Sequence, residues 1–353
     1  MLFDPLQLRE LTLKNRIIVS PMCQYSSHDG FANDWHFVHL GARAVGGAGL
    51  VFTEATAVTS EGRISPEDLG LWKDEHVAEL SRIARFIDAQ GSVAGMQLAH
   101  AGRKASTQQP WAGTRQLRAD EGGFRPIYAP SALPFKRDDE APEALSEAGI
   151  ARLVRSFGDA AERALRAGFR VLELHAAHGY LLHEFLSPLA NQRQDQYGGS
   201  FDNRIRALLE TVRSVRGRWP ERLPLFVRIS ATDWAEGGWD LDQSVELARR
   251  LGQEGVDLVD CSSGGAVPGA KIPVGPGYQT QFAERIRREA KIKTGAVGMI
   301  TQPHQAEHIL RSGQADAVIL ARELLRDPYW PLAAARALGV KVEWPVQYDR
   351  ARE

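Results

Sequence analysis

Cysteine is nearly absent from the sequence, with Cys23 and Cys261 the only two in 353 residues. Two isolated thiols, neither in a CxxC pair, are too few for a disulfide framework or an iron–sulfur cluster. An excess of either charge is missing as well, because 43 basic residues stand against 44 acidic ones. Such a balance offers no basic face to nucleic acid or to an anionic membrane. The scarcity of cysteine indicates a reducing compartment, and we expect a cytoplasmic protein.

Long apolar runs are a further absence. No uncharged apolar stretch approaches the ~18 residues that span a bilayer, and charged residues interrupt residues 1–16, where a signal peptide would be apolar. The first predicted strand ends in Ser20-Pro21-Met22-Cys23 and not in the GxGxxG turn of an open, doubly wound dinucleotide-binding sheet. We therefore expect a soluble chain that has neither a membrane nor nucleic acid as its partner.

The chain does have a regular alternation of short apolar runs with longer segments of helical spacing. The runs are typical of strands buried on both faces, and they cover residues 16–21, 50–56, 93–98, 170–174, 225–230, 258–262, 294–297 and 317–320. Helical patterns cover residues 75–90, 147–167, 202–218, 241–254 and 303–312. Gly91, Gly168 and Gly255 follow predicted helices where C-termini favour glycine, and Asp202 and Asp240 stand where N-caps are expected.

Eight strands that alternate with helices favour a closed parallel barrel over an open sheet or two separate domains. We predict a single α/β domain, a (β/α)8 TIM barrel over residues 1–339. Residues 101–145 are rich in glycine and proline and follow the third strand, so we expect a lid over the barrel mouth. Residues 340–353 form a tail whose aromatic and basic side chains are typical of a docked segment.

Active sites of such barrels lie at the carboxyl ends of the strands, and after the fourth strand stand His175, His178 and Tyr180. One interpretation of the two imidazoles is a structural turn. A second is a metal site completed by His100, as in a metal-dependent barrel hydrolase or aldolase. A third is an electrophilic clamp, in which two N–H donors polarise an oxygen while the Tyr180 phenol donates a proton. The residues alone leave these alternatives open.

Polar groups also follow the other strands. Gln97 can donate and accept at the pyrimidine edge of a flavin, and Arg228 can stabilise a negative charge on a reduced flavin, although a buried salt bridge also explains such an arginine. Gly298 and Ala321-Arg322 follow the seventh and eighth strands, where barrels bind phosphate groups. An ordinary strand-to-helix turn is the alternative there.

Several long strings carry a resemblance to a known family. They are SPMCQY at 20–25, QLAHAGR at 97–103, HAAHGYLLHEFLSP at 175–188, NQR at 191–193, YGGS at 197–200 and RELLRDP at 322–328. In this order and spacing they resemble the Old Yellow Enzyme family over practically the whole chain. Cys23, Tyr25 and the two histidines resemble its bacterial branch of YqjM-type and xenobiotic-reductase enzymes.

The resemblance implies an FMN-bearing ene-reductase that works by a ping-pong cycle. NADPH or NADH gives hydride to the flavin, and an α,β-unsaturated carbonyl or nitro compound then takes it at its β-carbon. His175 and His178 would hold the oxygen of this activated alkene, Tyr180 would protonate its α-carbon, and Tyr25 would face it.

The resemblance also implies which residues contact the cofactor. These are Ser20, Pro21, Met22, Cys23, Ala55, Gln97, Arg228, Gly298, Ala321 and Arg322. The branch usually has glycine where this chain has Ala321, and a methyl group is tolerable there if the backbone φ is negative.

The tail implies a partner subunit, because residues 345–350 resemble the segment with which the branch reaches a neighbouring active site. We expect a homodimer, or a tetramer of dimers, in which Arg350 completes the partner's substrate pocket. Two other functions are less well supported by the sequence. A tRNA dihydrouridine synthase would need a basic face, and a non-catalytic binding protein would leave the polar strand ends unexplained.

Overall fold

A computed structural model describes residues 1–352, and within them eight parallel strands close into a barrel in the order β10-β11-β12-β3-β4-β5-β8-β9. The strands of the chain are β1 (Leu6–Leu8), β2 (Leu11–Leu13), β3 (Ile17–Val19), β4 (Leu50–Ala57), β5 (Val93–Ala99), β6 (Tyr128–Ala129), β7 (Glu143–Ala144), β8 (Val171–Ala176), β9 (Leu225–Ser230), β10 (Leu258–Ser262), β11 (Lys293–Ala296) and β12 (Ala317–Leu320). The antiparallel pair β1–β2 and the short pair β6–β7 lie outside the barrel.

Helices follow the barrel strands along the chain. They are α1 (Asp34–Val45), α2 (Val77–Ala89), α3 (Glu147–Arg166), α4 (Leu181–Leu186), α5 (Phe201–Arg216), α6 (Leu241–Gln253), α7 (Thr280–Ala290), α8 (Pro303–Arg311), α9 (Arg322–Arg326) and α10 (Trp330–Ala337). Among the helices of residues 1–352, none combines the length and apolar character that a membrane span requires.

The predicted TIM barrel is confirmed, and its strands differ from the predicted runs by at most a few residues at each end. Gly91, Gly168 and Gly255 all have positive φ just after a helix, as expected. Asp240 caps α6 by accepting a hydrogen bond from the backbone N–H of Gln243 at 2.9 Å. The predicted N-cap at Asp202 is wrong.

Ser200 caps α5 instead, because its hydroxyl accepts from the backbone N–H of Asn203 at 3.3 Å. Asp202 lies in the first turn of α5. Its carboxylate there interacts favourably with the helix dipole but does not cap the helix. Sequence patterns resolve such helix boundaries poorly, since serine and aspartate are equally good caps.

Apolar side chains, most of them at the amino-terminal end of the barrel, form one buried cluster. It includes Phe52 and Phe226, whose ring centroids are 5.9 Å apart, and leucines of the β1–β2 hairpin that close the barrel from below. The full cluster is Leu6, Leu8, Leu11, Leu13, Ile18, Leu50, Phe52, Val93, Val171, Phe226, Leu258, Val297, Ala317 and Ile319. We call this set the barrel floor.

Candidate active site

His175 and His178 converge at the carboxyl end of β8. His175 lies within the strand and is buried, whereas His178 lies just beyond it, half-buried, with a left-handed backbone at φ 60°. The two rings meet edge to face, with centroids 5.1 Å apart. His175 Nε2 and His178 Nδ1 are 3.4 Å apart, so one oxygen can lie about 2.9 Å from both nitrogens.

Both imidazoles are held in place by neighbouring groups. The backbone N–H of Ala177 donates to His175 Nδ1 at 3.3 Å. His178 Nε2 lies 2.7 Å from the hydroxyl of Ser262, and the backbone N–H of His178 donates to Ser230 Oγ at 2.9 Å. Burial lowers the pKa of both histidines well below the ordinary value, and the rings are therefore neutral at neutral pH.

Tyr180 stands beside this pair, its ring centroid 5.0 Å from that of His175. Burial raises the pKa of the Tyr180 phenol well above its usual value, so the hydroxyl stays protonated and able to donate. Within the described residues, no group of three histidine, cysteine or acidic side chains is placed to hold a metal ion. His100 accepts a hydrogen bond from the backbone N–H of Gly102 at 3.1 Å.

A buried charged network lies next to the histidines, on the same face of the strands. Gln97 Nε2 donates to Glu173 Oε1 at 2.8 Å across the β5–β8 pair. Arg228 donates to the hydroxyl of Ser20 at 3.0 Å and forms an ion pair with Asp260 at 3.2 Å. Burial raises the pKa of Glu173 to about 8 and that of Asp260 to about 6.

The predicted phosphate residues come together on two neighbouring strands, since β11 pairs with β12. Gly298 has φ 120°, and a Cβ there would lie 2.9 Å from Gln279 Nε2 and 3.1 Å from the Tyr278 ring. Ala321 precedes α9 with φ −106°, which meets the condition under which a methyl group is tolerable. Arg322 is exposed. Burial raises the pKa of the Tyr278 phenol, and the positive charge of Arg322 opposes that rise.

The segment after β3 forms another wall of the site. Ser20 is buried, while Pro21, Met22, Cys23 and Tyr25 are half-buried. Burial raises the pKa of the Cys23 thiol well above its usual value, so the sulfur is not a thiolate. Ala55 pairs with Gln97 in the β4–β5 ladder, beside a register shift that follows Phe52.

The predicted lid contributes side chains that the sequence reasoning did not single out. Lys104 Nζ donates to the carbonyl oxygens of His178 at 2.8 Å and Gly265 at 3.1 Å, and it lies 5.2 Å from the centre of the Tyr180 ring. Burial lowers the pKa of Lys104 to about 8. Trp111 is 70% exposed and meets the Tyr25 ring edge to face at 5.6 Å.

Glu173 and Asp260 also lie in the site, bound to Gln97 and Arg228, but they had no assigned role in the sequence reasoning. Both lie inside strands that read as apolar runs, and their inward orientation shows only once the barrel closes. A signal was nevertheless present, because each interrupts an apolar segment with a polar residue. Lys104 had the weaker signal of adjoining the QLAHAGR string.

Arg350 is not brought to the histidines by its own chain. It lies in the exposed turn Val346–Ala351. The tail before it, including Trp344, lines a cavity with Lys14 and Gly91, which precede β3 and β5 at the amino-terminal side of the barrel. Tyr348 contacts Tyr329 through their hydroxyls at 3.3 Å.

The donor set fits FMN. An isoalloxazine edge needs N–H donors for its carbonyl oxygens and an acceptor for its own N–H, and Gln97, Arg228 and Ser20 supply both kinds of group. With Gln97 Nε2 bound to Glu173, its carbonyl oxygen is left to accept. At the other end, Gly298 lies so close to Gln279 and Tyr278 that a Cβ would crowd them, and its bare backbone can approach a phosphate. The guanidinium of Arg322, which follows β12, is a group that binds phosphate well.

Comparisons of sequence and of structure find extensive similarity to known proteins. The sequence model of the NADH:flavin oxidoreductase / NADH oxidase family matches residues 1–339. The chain is 51% identical over 352 residues to an NADPH dehydrogenase of Geobacillus thermodenitrificans (strain NG80-2). The aligned residues cover 99% of this chain and 98% of that protein. This chain is 47% identical over 351 residues to an NADPH dehydrogenase of Bacillus subtilis (strain 168), with 99% and 98% covered. A solved old yellow enzyme homologue from Zymomonas mobilis superposes with a TM-score of 0.79 at 26% identity, over 98% of this chain and 94% of that one.

Proposed function

The chain belongs to the NADH:flavin oxidoreductase / NADH oxidase family, the Old Yellow Enzyme family that its motifs resemble, and on that premise we propose that it reduces activated carbon–carbon double bonds. The family makes it a flavin-dependent oxidoreductase that uses FMN and NAD(P)H. The proposed acceptors are α,β-unsaturated carbonyl and nitro compounds. When bound, FMN supplies the chemistry of accepting a hydride from NAD(P)H and passing it to the acceptor.

The observation that carries the proposal is the pair of neutral imidazoles 3.4 Å apart, with Tyr180 beside them. Two ring nitrogens that face one point can, when both carry a proton, hold a carbonyl or nitro oxygen that gains negative charge as its conjugated double bond is reduced. Neutral rings can still donate N–H hydrogen bonds, and they leave Tyr180 as the proposed acid.

Tyr180 is the proposed proton donor to the α-carbon. Its raised pKa keeps the phenol protonated until a strong base such as a carbanion forms next to it. Lys104, 5.2 Å from the ring centre, places a positive charge near the phenolate left after transfer. Tyr25 and the lid tryptophan, Trp111, would border the remainder of the acceptor.

The cofactor contacts follow from the fit described above. Gln97 and Arg228 would hold the pyrimidine edge, with Ser20 to Cys23 and Ala55 lining the ring. Gly298, Ala321 and Arg322 would hold the phosphate. Arg350 would enter the substrate pocket of a second subunit, since in its own chain it lies away from the histidines.

Substitution of both histidines tests the proposal. His175→Ala and His178→Ala, alone and together, should lower the rate of enone reduction by about 10²-fold or more, the usual effect of removing an oxyanion donor. Reduction of the flavin by NADPH, measured separately by stopped flow, should change far less. His178→Asn keeps an N–H donor and should retain more activity than His178→Ala. Enone reduction that survives the double substitution would contradict the proposal.

A further inference from the structure

Ser262 makes a contact with the His178 ring that the proposed clamp does not explain. It is the last residue of β10, 5% exposed, and its hydroxyl lies 2.7 Å from His178 Nε2. The other ring nitrogen of His178, Nδ1, faces His175. The imidazole of His178 is therefore bound on one side by a histidine and on the other by a serine.

The contacts of His175 determine where the protons lie. Its Nδ1 accepts from the backbone N–H of Ala177, so a neutral His175 carries its proton on Nε2. That N–H points at His178 Nδ1, which must then be the acceptor. The single proton of His178 is left on Nε2, where it donates to the Ser262 oxygen. In this state the free protein holds a chain of donors from His175 through His178 to Ser262.

Such a chain is unsuited to gripping an oxygen with two donors. At the point between the rings only His175 presents an N–H, while His178 presents the lone pair of Nδ1. A carbonyl or nitro oxygen placed there would meet one donor and one repelling acceptor. The clamp needs His178 in its other tautomer, with the proton on Nδ1 and a bare Nε2.

A serine hydroxyl suits this change, because it can either accept or donate a hydrogen bond. With the proton on Nε2 the Ser262 oxygen accepts, and with the proton on Nδ1 the Ser262 hydroxyl rotates and donates to Nε2. A backbone carbonyl in the same place could serve only the first tautomer. The depressed pKa values of both histidines agree with an exchange between neutral forms.

We propose that Ser262 is a positioning residue that allows His178 to change tautomer when an oxygen acceptor binds between the two rings. One proton leaves Nε2 and one arrives at Nδ1, both exchanged with water, so the charge of the ring stays zero. This inference rests on the proposed ene-reductase clamp and adds to it the state of each donor before and after binding.

Nitrogen NMR of the oxidised holoenzyme, labelled with 15N in the histidine rings, tests the proposal. Protonated and bare ring nitrogens have well-separated shifts, and loss of a signal in His178→Ala assigns the residue among the ten histidines. The probe is para-nitrophenol above the pKa of its hydroxyl, because the phenolate oxygen can only accept hydrogen bonds and can occupy the point between the rings. We expect the proton of His178 on Nε2 without the phenol and on Nδ1 with it.

Ser262→Ala removes the partner of His178 Nε2 in both tautomers, and a buried N–H left without an acceptor costs more than a bare ring nitrogen. The free variant should therefore no longer hold the proton of His178 wholly on Nε2, and the tautomer change on phenol binding should shrink. Ser262→Thr keeps the hydroxyl and should restore the full change. Ser230→Ala is the matched control, since Ser230 contacts the backbone N–H of His178 and not its ring. That control should lower the melting temperature and leave the tautomer change intact.

The outcomes separate the two proposals. A His178 proton that stays on Nε2 when phenol binds to the wild type overturns the inference, as does a tautomer change of undiminished size in Ser262→Ala. Phenol affinity that is unchanged in both His175→Ala and His178→Ala would instead show that the clamp itself is wrong. The wild-type measurement decides the matter even if a serine variant fails to fold.

Discussion

Two levels of the same barrel interior differ sharply, and β9 shows the contrast within three residues. Phe226 belongs to the barrel floor, whereas Arg228, two residues later and on the same face of the strand, lies in the charged network. β8 and β10 repeat this change, from Val171 to Glu173 and from Leu258 to Asp260. In each of these three strands, an apolar residue of the barrel floor is thus followed, two positions nearer the carboxyl end, by a charged or acidic residue of the network.

The difference teaches where stability and chemistry are obtained in this fold. Apolar side chains at the floor are stabilised by close packing and removal from water. Arg228 and Asp260 are costly to bury, and their ion pair offsets that cost only in part. The second level is therefore expected to contribute little stability and to be retained for what it binds.

The largest effect should come from removing a floor residue. Phe226→Ala leaves a cavity beside Phe52 and should lower the free energy of unfolding by about 3–5 kcal/mol, measured by urea denaturation. The folded fraction should still bind FMN and reduce enones. Val38→Ala, at a side chain that is 65% exposed, is the control and should change stability little. Loss of FMN binding by folded Phe226→Ala would contradict the idea that the barrel floor supplies stability and the charged network supplies binding.

A smaller effect, on the rate of catalysis and not on stability, is expected at the carboxyl end of the barrel. Tyr180→Phe removes the proposed acid and should slow the oxidative half-reaction with an enone by about 10²-fold, measured by stopped flow. The reductive half-reaction and the melting temperature should stay close to those of the wild type. Equal losses in both half-reactions would mean that Tyr180 positions the flavin and does not donate the proton.

The smallest effect is expected from the tail, which reaches neither level of its own barrel. Arg350→Ala should raise the KM for enone several-fold with kcat nearly unchanged, because a charge at the rim of a pocket chiefly affects binding. Deleting residues 345–353 should do the same and weaken self-association, measured by sedimentation. Arg352→Ala is the matched control, two residues away and also exposed. Unchanged kinetics in Arg350→Ala would remove the tail from the site.

The sequence was sufficient to predict the barrel, because outward-facing residues such as Leu172, Val227 and Val259 make every strand a nearly continuous apolar run. Those same residues conceal the second level. Glu173 and Asp260 stand between apolar neighbours, and which way they point depends on how the barrel closes. The histidines were easier to find, since they come where the strand ends and the pattern breaks.

Partners that are far apart in the chain could not be predicted. Ser262 meets His178 across 84 positions, and Lys104 meets Gly265 across 161. Spacing in the sequence carries no information about such contacts. The N-cap of α5 was missed for a local reason, because two good capping residues lie two positions apart.

The loops after β8 and β10 fit together without room for a single extra carbon. A Cβ on Gly179 would lie 2.0 Å from the carbonyl oxygen of Gly265, and a Cβ on Gly265 would lie 2.5 Å from the backbone of His178. Lys104 joins the same two loops through one ammonium group. Chimeras made by exchanging segments with relatives should consequently tolerate the two loops and Lys104 only when all three are inherited together from one parent.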